Sequence, residues 1–154
     1  MFDQVEVHAA GGYPFVVQVV DHHNSNPTIK DKGVAVIDGD NPPLKEPNDF
    51  VLTLPRGAPE TIVFGYIYEN AAAVAALVQQ RCQCPSASQD FIVKVIGDVM
   101  IDTTDHHLYF AKLGERLGFI SELVVRRGLC SIYVQNSKGE LMSLVDGLRK
   151  QLGL

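Results

Sequence analysis

The run Gly33-Val-Ala-Val-Ile37 constrains the fold more than any other stretch of the chain. It is apolar, rich in β-branched residues and free of polar alternation, so it reads as a buried central strand of a parallel sheet. The run stops at Asp38-Gly39-Asp40-Asn41-Pro42-Pro43. Two carboxylates are thereby placed where a sheet meets solvent, the position at which open α/β sheets collect their ligands. The expected fold class is α/β, with a mostly parallel sheet, flanking helices and a helical C-terminal part.

Upstream, Gln4 to Ala9 alternates, with Val5 and Val7 on one face, and predicts a short strand that Gly11-Gly12 ends with a turn. Tyr13 to Val20 is apolar at nearly every position and fits either a buried strand or a short helix. Asn24 to Lys32 reads as a loop, and Phe50 to Leu54 as a short apolar run closed by Pro55-Arg56-Gly57. Pro59 and Glu60 suit the first turn of a helix reaching about Asn70. Alanine and leucine favour a second helix over Ala71–Gln83, and a third spans Ser86–Val99 with Ser86 or Ser88 as its N-cap. Apolar residues at 108, 110, 111, 113 and 117 predict a helix over His107–Leu117 ended by Gly118. Ser121–Gln135 starts as a helix and ends in the β-branched Ile132–Val134 stretch. Leu141, Leu144, Val145, Leu148 and Leu152 mark a C-terminal amphipathic helix with Arg149 and Lys150 in its last turns. The tyrosines at 66, 68 and 109 read as packing residues.

At 154 residues and 16.9 kDa the chain is expected to be one domain, residues 1–154, sheet-rich over 1–57 and helix-rich over 58–154. That length leaves no room for an ATPase core with a separate effector domain. Thirteen basic against eighteen acidic residues give a formal charge of −5, which argues against a protein that coats nucleic acid through a general basic surface. The longest apolar stretch, Ala71 to Val78, is far below the roughly 20 residues of a bilayer-spanning helix. The N-terminus lacks a basic region before an apolar block, so no signal peptide is expected and the cytoplasm is the expected compartment. Cys82 and Cys84 lie too close for an ordinary disulfide and Cys130 stands alone, which points to structural thiols rather than a zinc site.

Asp38-x-Asp40 carries the most chemistry. Two carboxylates flanking a glycine at a strand end can share a hard cation, since Mg²⁺ needs only one or two protein carboxylates besides water and phosphate oxygens. A plain turn is the competing reading, because Asp, Gly, Asn and Pro are turn residues. Asp21-His22-His23 and Asp105-His106-His107 each offer a carboxylate and two imidazoles, suited to Mn²⁺, Fe²⁺ or Zn²⁺. Adjacent side chains diverge, so at most one histidine of each pair is expected to face a shared site. Lys94, Lys112, Arg126 and Arg127 are candidate phosphate contacts, with a solvated helix face as the plainer alternative.

Val20-Asp-His-His23 is similar to the motif of the DHH phosphoesterases, although the Asp-x-Asp-Gly segment that precedes it in that family is missing. A broader match comes from four segments in order. Val5-Glu-Val-His-Ala-Ala-Gly-Gly12, Gly33-Val-Ala-Val-Ile-Asp-Gly-Asp40, Leu54-Pro-Arg-Gly-Ala-Pro-Glu60 and Asp105-His-His-Leu-Tyr-Phe-Ala-Lys-Leu113 resemble the TOPRIM domain of OLD-like nucleases. The resemblance spans most of the chain and implies a TOPRIM/Rossmann-like fold and metal-dependent phosphodiester hydrolysis of nucleic acid, DNA ahead of RNA. By it, Asp38 and Asp40 would be catalytic and bind Mg²⁺ or Mn²⁺, while Glu60 and His107 would support the metal site; Lys112 joins them as a candidate supporting residue. It further implies an ABC-type ATPase domain or subunit as partner in a phage-defence setting; a homodimer is also expected. Members of that family carry a glutamate before the Gly-Gly strand, and this chain begins too late to contain it. The expectation is either a C-terminal piece of a longer protein or a reduced stand-alone domain. A silent TOPRIM-like binding or assembly module is the rival reading, and a DHH-type phosphoesterase, needing His22 and His23 beside Asp38, is the third.

Overall fold

The computed structural model describes residues 6–8, 11–41, 48–54 and 57–154. The chain divides into two compact units, Met1–Pro55 with Met142–Leu154, and Arg56–Leu141. Seven α-helices and one parallel pair of strands make up the regular structure of the described residues, so the protein is a mixed α/β chain that is mostly helical.

In the first unit, Tyr13–Ser25 forms helix α1, which decides between the two readings of that apolar run. Pro14 sits in its first turn, where a missing amide hydrogen costs nothing. Among the described residues, Tyr13, Val16, Val17 and Val20 pack inward, against Ala35, Ile37, Phe50 and Val51. That set repeats at three- and four-residue steps, so burial of one helical stripe overrides the modest helix aversion of four valines. Asn24 then fastens the following loop to the helix end. Its Nδ2 donates to the Gly33 carbonyl at 2.9 Å and its Oδ1 accepts the Gly33 amide at 2.8 Å.

Strands β1 (Ala35–Ile37) and β2 (Val51–Thr53) pair in parallel with Ala35 opposite Val51 and Ile37 opposite Thr53. The expected buried central strand is corrected here. Ala35 and Ile37 are buried but Val36 is 41% exposed, and among the described residues β1 has one strand neighbour. An outward-facing valine has the same sequence signature as an inward-facing one, so the alternation of this strand is hidden. Among its described residues, the stretch expected to be sheet-rich holds two three-residue strands against a thirteen-residue helix. Of the strand predicted over Gln4–Ala9, residues 6–8 are described and are not strand; the rest lies outside the described residues.

The second unit holds α2 (Pro59–Glu69), α3 (Ala71–Arg81), α4 (Gln89–Asp102), α5 (Tyr109–Arg116) and α6 (Glu122–Asn136). A 3-10 turn, His106–Leu108, leads into α5. Ser88 caps α4 by accepting the Phe91 amide at 3.2 Å, and Ser121 caps α6 through the Val124 amide at 3.4 Å. Gly118 and Phe119 take positive φ to end α5, as the glycine predicted. The β-branched end of α6 stays helical because Ile132 and Tyr133 are buried. Phe64, Ile67, Val78, Ile92, Ile96, Val99, Phe110, Leu113, Val125, Leu129 and Ile132 fill one apolar core. Tyr109 stacks on Phe64 at 4.7 Å and Tyr66 meets Tyr133 edge-on at 5.6 Å, whereas Tyr68 is exposed. Helix α7 (Lys138–Leu152) begins in this unit, and its residues from Met142 belong to the first. No single helix among the described residues is long and apolar enough to cross a membrane.

Two helical glycines give opposite expectations. A Cβ at Gly97 in α4 meets nothing within 4 Å, whereas one at Gly114 in α5 collides with the Ile120 carbonyl oxygen. Gly97→Ala should stabilise by about 0.5–1 kcal/mol through helix propensity. Gly114→Ala should destabilise by about 1–3 kcal/mol in spite of the same propensity gain. Urea unfolding of the two variants measures both, and equal shifts would contradict the close approach of α5 to Ile120.

Candidate functional site

Asp38 and Asp40 follow β1 directly, in a turn closed by the Asn41 amide donating to the Asp38 carbonyl at 3.3 Å. The Asn41 side-chain amide donates to the same carbonyl at 3.1 Å. The turn and the paired carboxylates are therefore one object. Both aspartates are exposed, at the carboxyl end of a parallel strand. Two exposed carboxylates in a turn are hard oxygen donors of the kind Mg²⁺ or Mn²⁺ accepts while keeping much of its water.

The supporting residues expected beside them belong to the second unit. Glu60 lies in the first turn of α2, with its side chain 15% exposed and 3.8 Å from Arg126. Arg126 also pairs with Glu122 and lies over the Phe110 ring at 5.7 Å. Lys112 bonds Glu115 at 2.9 Å, and Lys94 bonds Asp98 at 2.6 Å. Lys94, Lys112 and Arg126 thus engage carboxylates of their own unit, the solvated-face alternative, while Arg127 is exposed. The Lys112 ammonium holds the exposed Glu115 carboxyl below its ordinary range, first through the hydrogen bond and then through its charge.

The two Asp-His-His segments have different surroundings. In α1, Asp21 accepts a 2.7 Å hydrogen bond from Asn48 and His23 Nε2 meets the Asp31 carbonyl at 2.9 Å. Both side chains tie the helix to later chain. At the 3-10 turn, Asp105 Oδ1 accepts the His107 amide at 3.0 Å and caps the turn. The His106 and His107 rings lie 4.1 Å apart, tilted by 41°, and one ligand atom from each of Asp105, His106 and His107 falls within 4.8 Å of the others. The two rings thus lie close together, where the sequence predicts that at most one histidine of the pair faces a shared site. His106 Nε2 is buried without a hydrogen-bond partner among the described residues. Such a group costs about 1–3 kcal/mol.

Sequence reasoning missed the cleft beside this turn. It has a volume of about 340 Å³ and is lined by Asp102, Thr103, Thr104, Asp105, Lys112 and Arg116, among others. Arg116 bonds Asp102 at 2.9 Å across its wall. The available signal is the polar Asp102–Asp105 break between two apolar-periodic stretches.

Cys82, Cys84 and Cys130 are free thiols, the first two buried. Burial, with the nearby Cys84 adding to it, pushes the Cys82 thiol up to about 12. Burial also raises Cys84 and Cys130, partly opposed by a backbone hydrogen bond and by Arg126 respectively. A raised thiol pKa keeps the reactive thiolate scarce. In mildly alkaline buffer, iodoacetamide should therefore leave Cys82 and Cys84 unmodified in the native protein and label them in urea, as read by mass spectrometry. Native labelling of Cys82 as fast as in urea would contradict its burial. Comparison of the chain with protein-family models, curated proteins and solved structures finds no match.

Proposed function

We propose that the chain is a divalent-metal-dependent phosphodiesterase acting on nucleic acid, DNA ahead of RNA, on a TOPRIM-like relative of the Rossmann fold. The observation that carries this reading is the pair of exposed carboxylates, Asp38 and Asp40, on the turn at the carboxyl end of a parallel strand. Asp38 and Asp40 are the catalytic residues of this reading and the ligands of Mg²⁺ or Mn²⁺. Held by Asp38 and Asp40, such an ion would supply polarisation of a phosphate oxygen and stabilisation of the leaving oxygen. The formal charge of −5 disfavours a tight grip on a polyanion by this chain alone, so the reading includes a basic partner, an ABC-type ATPase domain or subunit, whereas a second copy would add no basic surface. Three free cysteines suit a reducing compartment, the cytoplasm.

A second reading, the silent binding or assembly module, has its own support. Glu60 and Lys112, the expected supporting groups, face Arg126 and Glu115. The DHH-type reading is weakened because Asp21 and His23 hold α1 to the Asn48 side chain and the Asp31 backbone.

Plasmid, single-stranded DNA and RNA incubated with the protein in Mg²⁺ and in Mn²⁺, beside Asp38→Ala/Asp40→Ala, separate these readings. The nuclease reading expects cleavage that falls by about 10³ or more in the double variant. Cleavage unchanged by the substitutions would remove Asp38 and Asp40 from the reaction, and metal binding without cleavage would favour the silent module.

A further inference from the structure

We propose that Asp105, His106 and His107 form a binding site for a borderline first-row divalent cation of the Zn²⁺, Co²⁺ and Ni²⁺ class, separate in residues and in chemistry from the Asp38–Asp40 turn. Three observations converge on it. The three ligand atoms already lie within 4.8 Å of one another. His106 carries a buried ring nitrogen with no hydrogen-bond partner among the described residues, a group that coordination or an ordered water would satisfy. The cleft that adjoins Asp105 is cationophilic: Asp102 and Glu115 are matched by Arg116 and Lys112, which leaves the Asp105 charge in excess.

The donor set selects the metal. Two imidazoles and one carboxylate suit Zn²⁺ and its neighbours, whereas Mg²⁺ and Ca²⁺ prefer oxygen donors alone. Three protein ligands leave a coordination position for water, the arrangement of an open site. Donors of a common ion stand roughly 3–3.5 Å apart at metal–ligand distances of about 2.0–2.2 Å, so the cluster must tighten to bind. Asp105 and His107 are both exposed and can rotate to do so. One Asp105 oxygen caps the turn through the His107 amide, and a carboxylate has a second oxygen to give. The cap therefore holds the ligand in place instead of competing with it. Buried thiols are the rival soft ligands, and burial keeps Cys82 protonated.

The test is Co²⁺ titration of the untagged full chain, followed by visible absorption, with Ni²⁺ and Mg²⁺ in parallel. Saturable Co²⁺ binding at the histidine site is expected, displaced by Ni²⁺ and not by Mg²⁺ at the same concentrations. His106→Gln and His107→Gln should each weaken it about tenfold or more. Asp105→Asn should weaken it while leaving the unfolding midpoint unchanged, because asparagine caps as well as aspartate. Asp38→Ala/Asp40→Ala should keep the histidine-dependent Co²⁺ absorption band whatever happens to metal at the Asp38–Asp40 turn, so failure of this site and failure of the proposed nuclease are read on different variants. No saturable binding, affinity unchanged in both histidine variants, or a thiolate-to-cobalt charge-transfer band would overturn the proposal.

Discussion

Residue 128 has no side chain, and the packing of the second unit turns on that. A Cβ there would stand 2.9 Å from Cys82 Sγ and 3.1 Å from the Arg81 carbonyl group. The sulfur has some freedom to move, but the carbonyl is backbone and does not. Glycine at this point of α6 lets the helix lie directly against the end of α3. Val125, Leu129 and Ile132 on α6 and Val78 on α3 then share one core with Ile92 and Ile96 on α4. Glycine in a helix interior costs about 1 kcal/mol relative to alanine. Full burial of even one of those aliphatic side chains outweighs that, at about 1.5–3 kcal/mol each. Cys82 finds its role in the same contact, as a small buried residue whose sulfur fits where a larger side chain would push the helices apart.

The helical part of the fold is legible in the sequence because its signals are local. Ser88, Ser121, Pro59 and Gly118 mark helix ends through their own backbone chemistry, and the apolar positions of α5 recur at helical spacing. The N-terminal unit is less legible for a physical reason. Tyr13–Val20 and Gly33–Ile37 are both nearly all apolar, and an apolar run carries no period to read. Only the residues packed against each run decide it. For α1 these are Ala35, Ile37, Phe50 and Val51, all far along the chain.

The candidate sites divide in the same way. Asp38 and Asp40 are visible because turn chemistry and strand ending are neighbours in sequence. That Glu60 faces Arg126, a residue far downstream, cannot be read from either residue, nor can the pairing of Arg116 with Asp102 across the cleft. A basic residue on a helix face has the same one-letter signature whether it is bound to a carboxylate or ready for a phosphate. The ring-on-ring arrangement of His106 and His107 depends on a 3-10 turn, where the sequence pattern predicts an α-helical start.

Asp-His-His occurs twice, and the two copies sit at opposite poles of a helical segment. In α1 the motif occupies the last turns, where the carbonyl end favours the imidazoles and opposes the carboxylate. Asp21 is accordingly compensated by an external donor, Asn48. At the 3-10 turn the motif comes first, and Asp105 is satisfied by the amide of its own motif. The α1 copy depends on a distant partner, whereas the copy at the 3-10 turn is closed on itself. Repetition of the three letters is therefore not repetition of a role: polarity of the local backbone leaves one copy dependent on a distant partner and the other closed by its own amide.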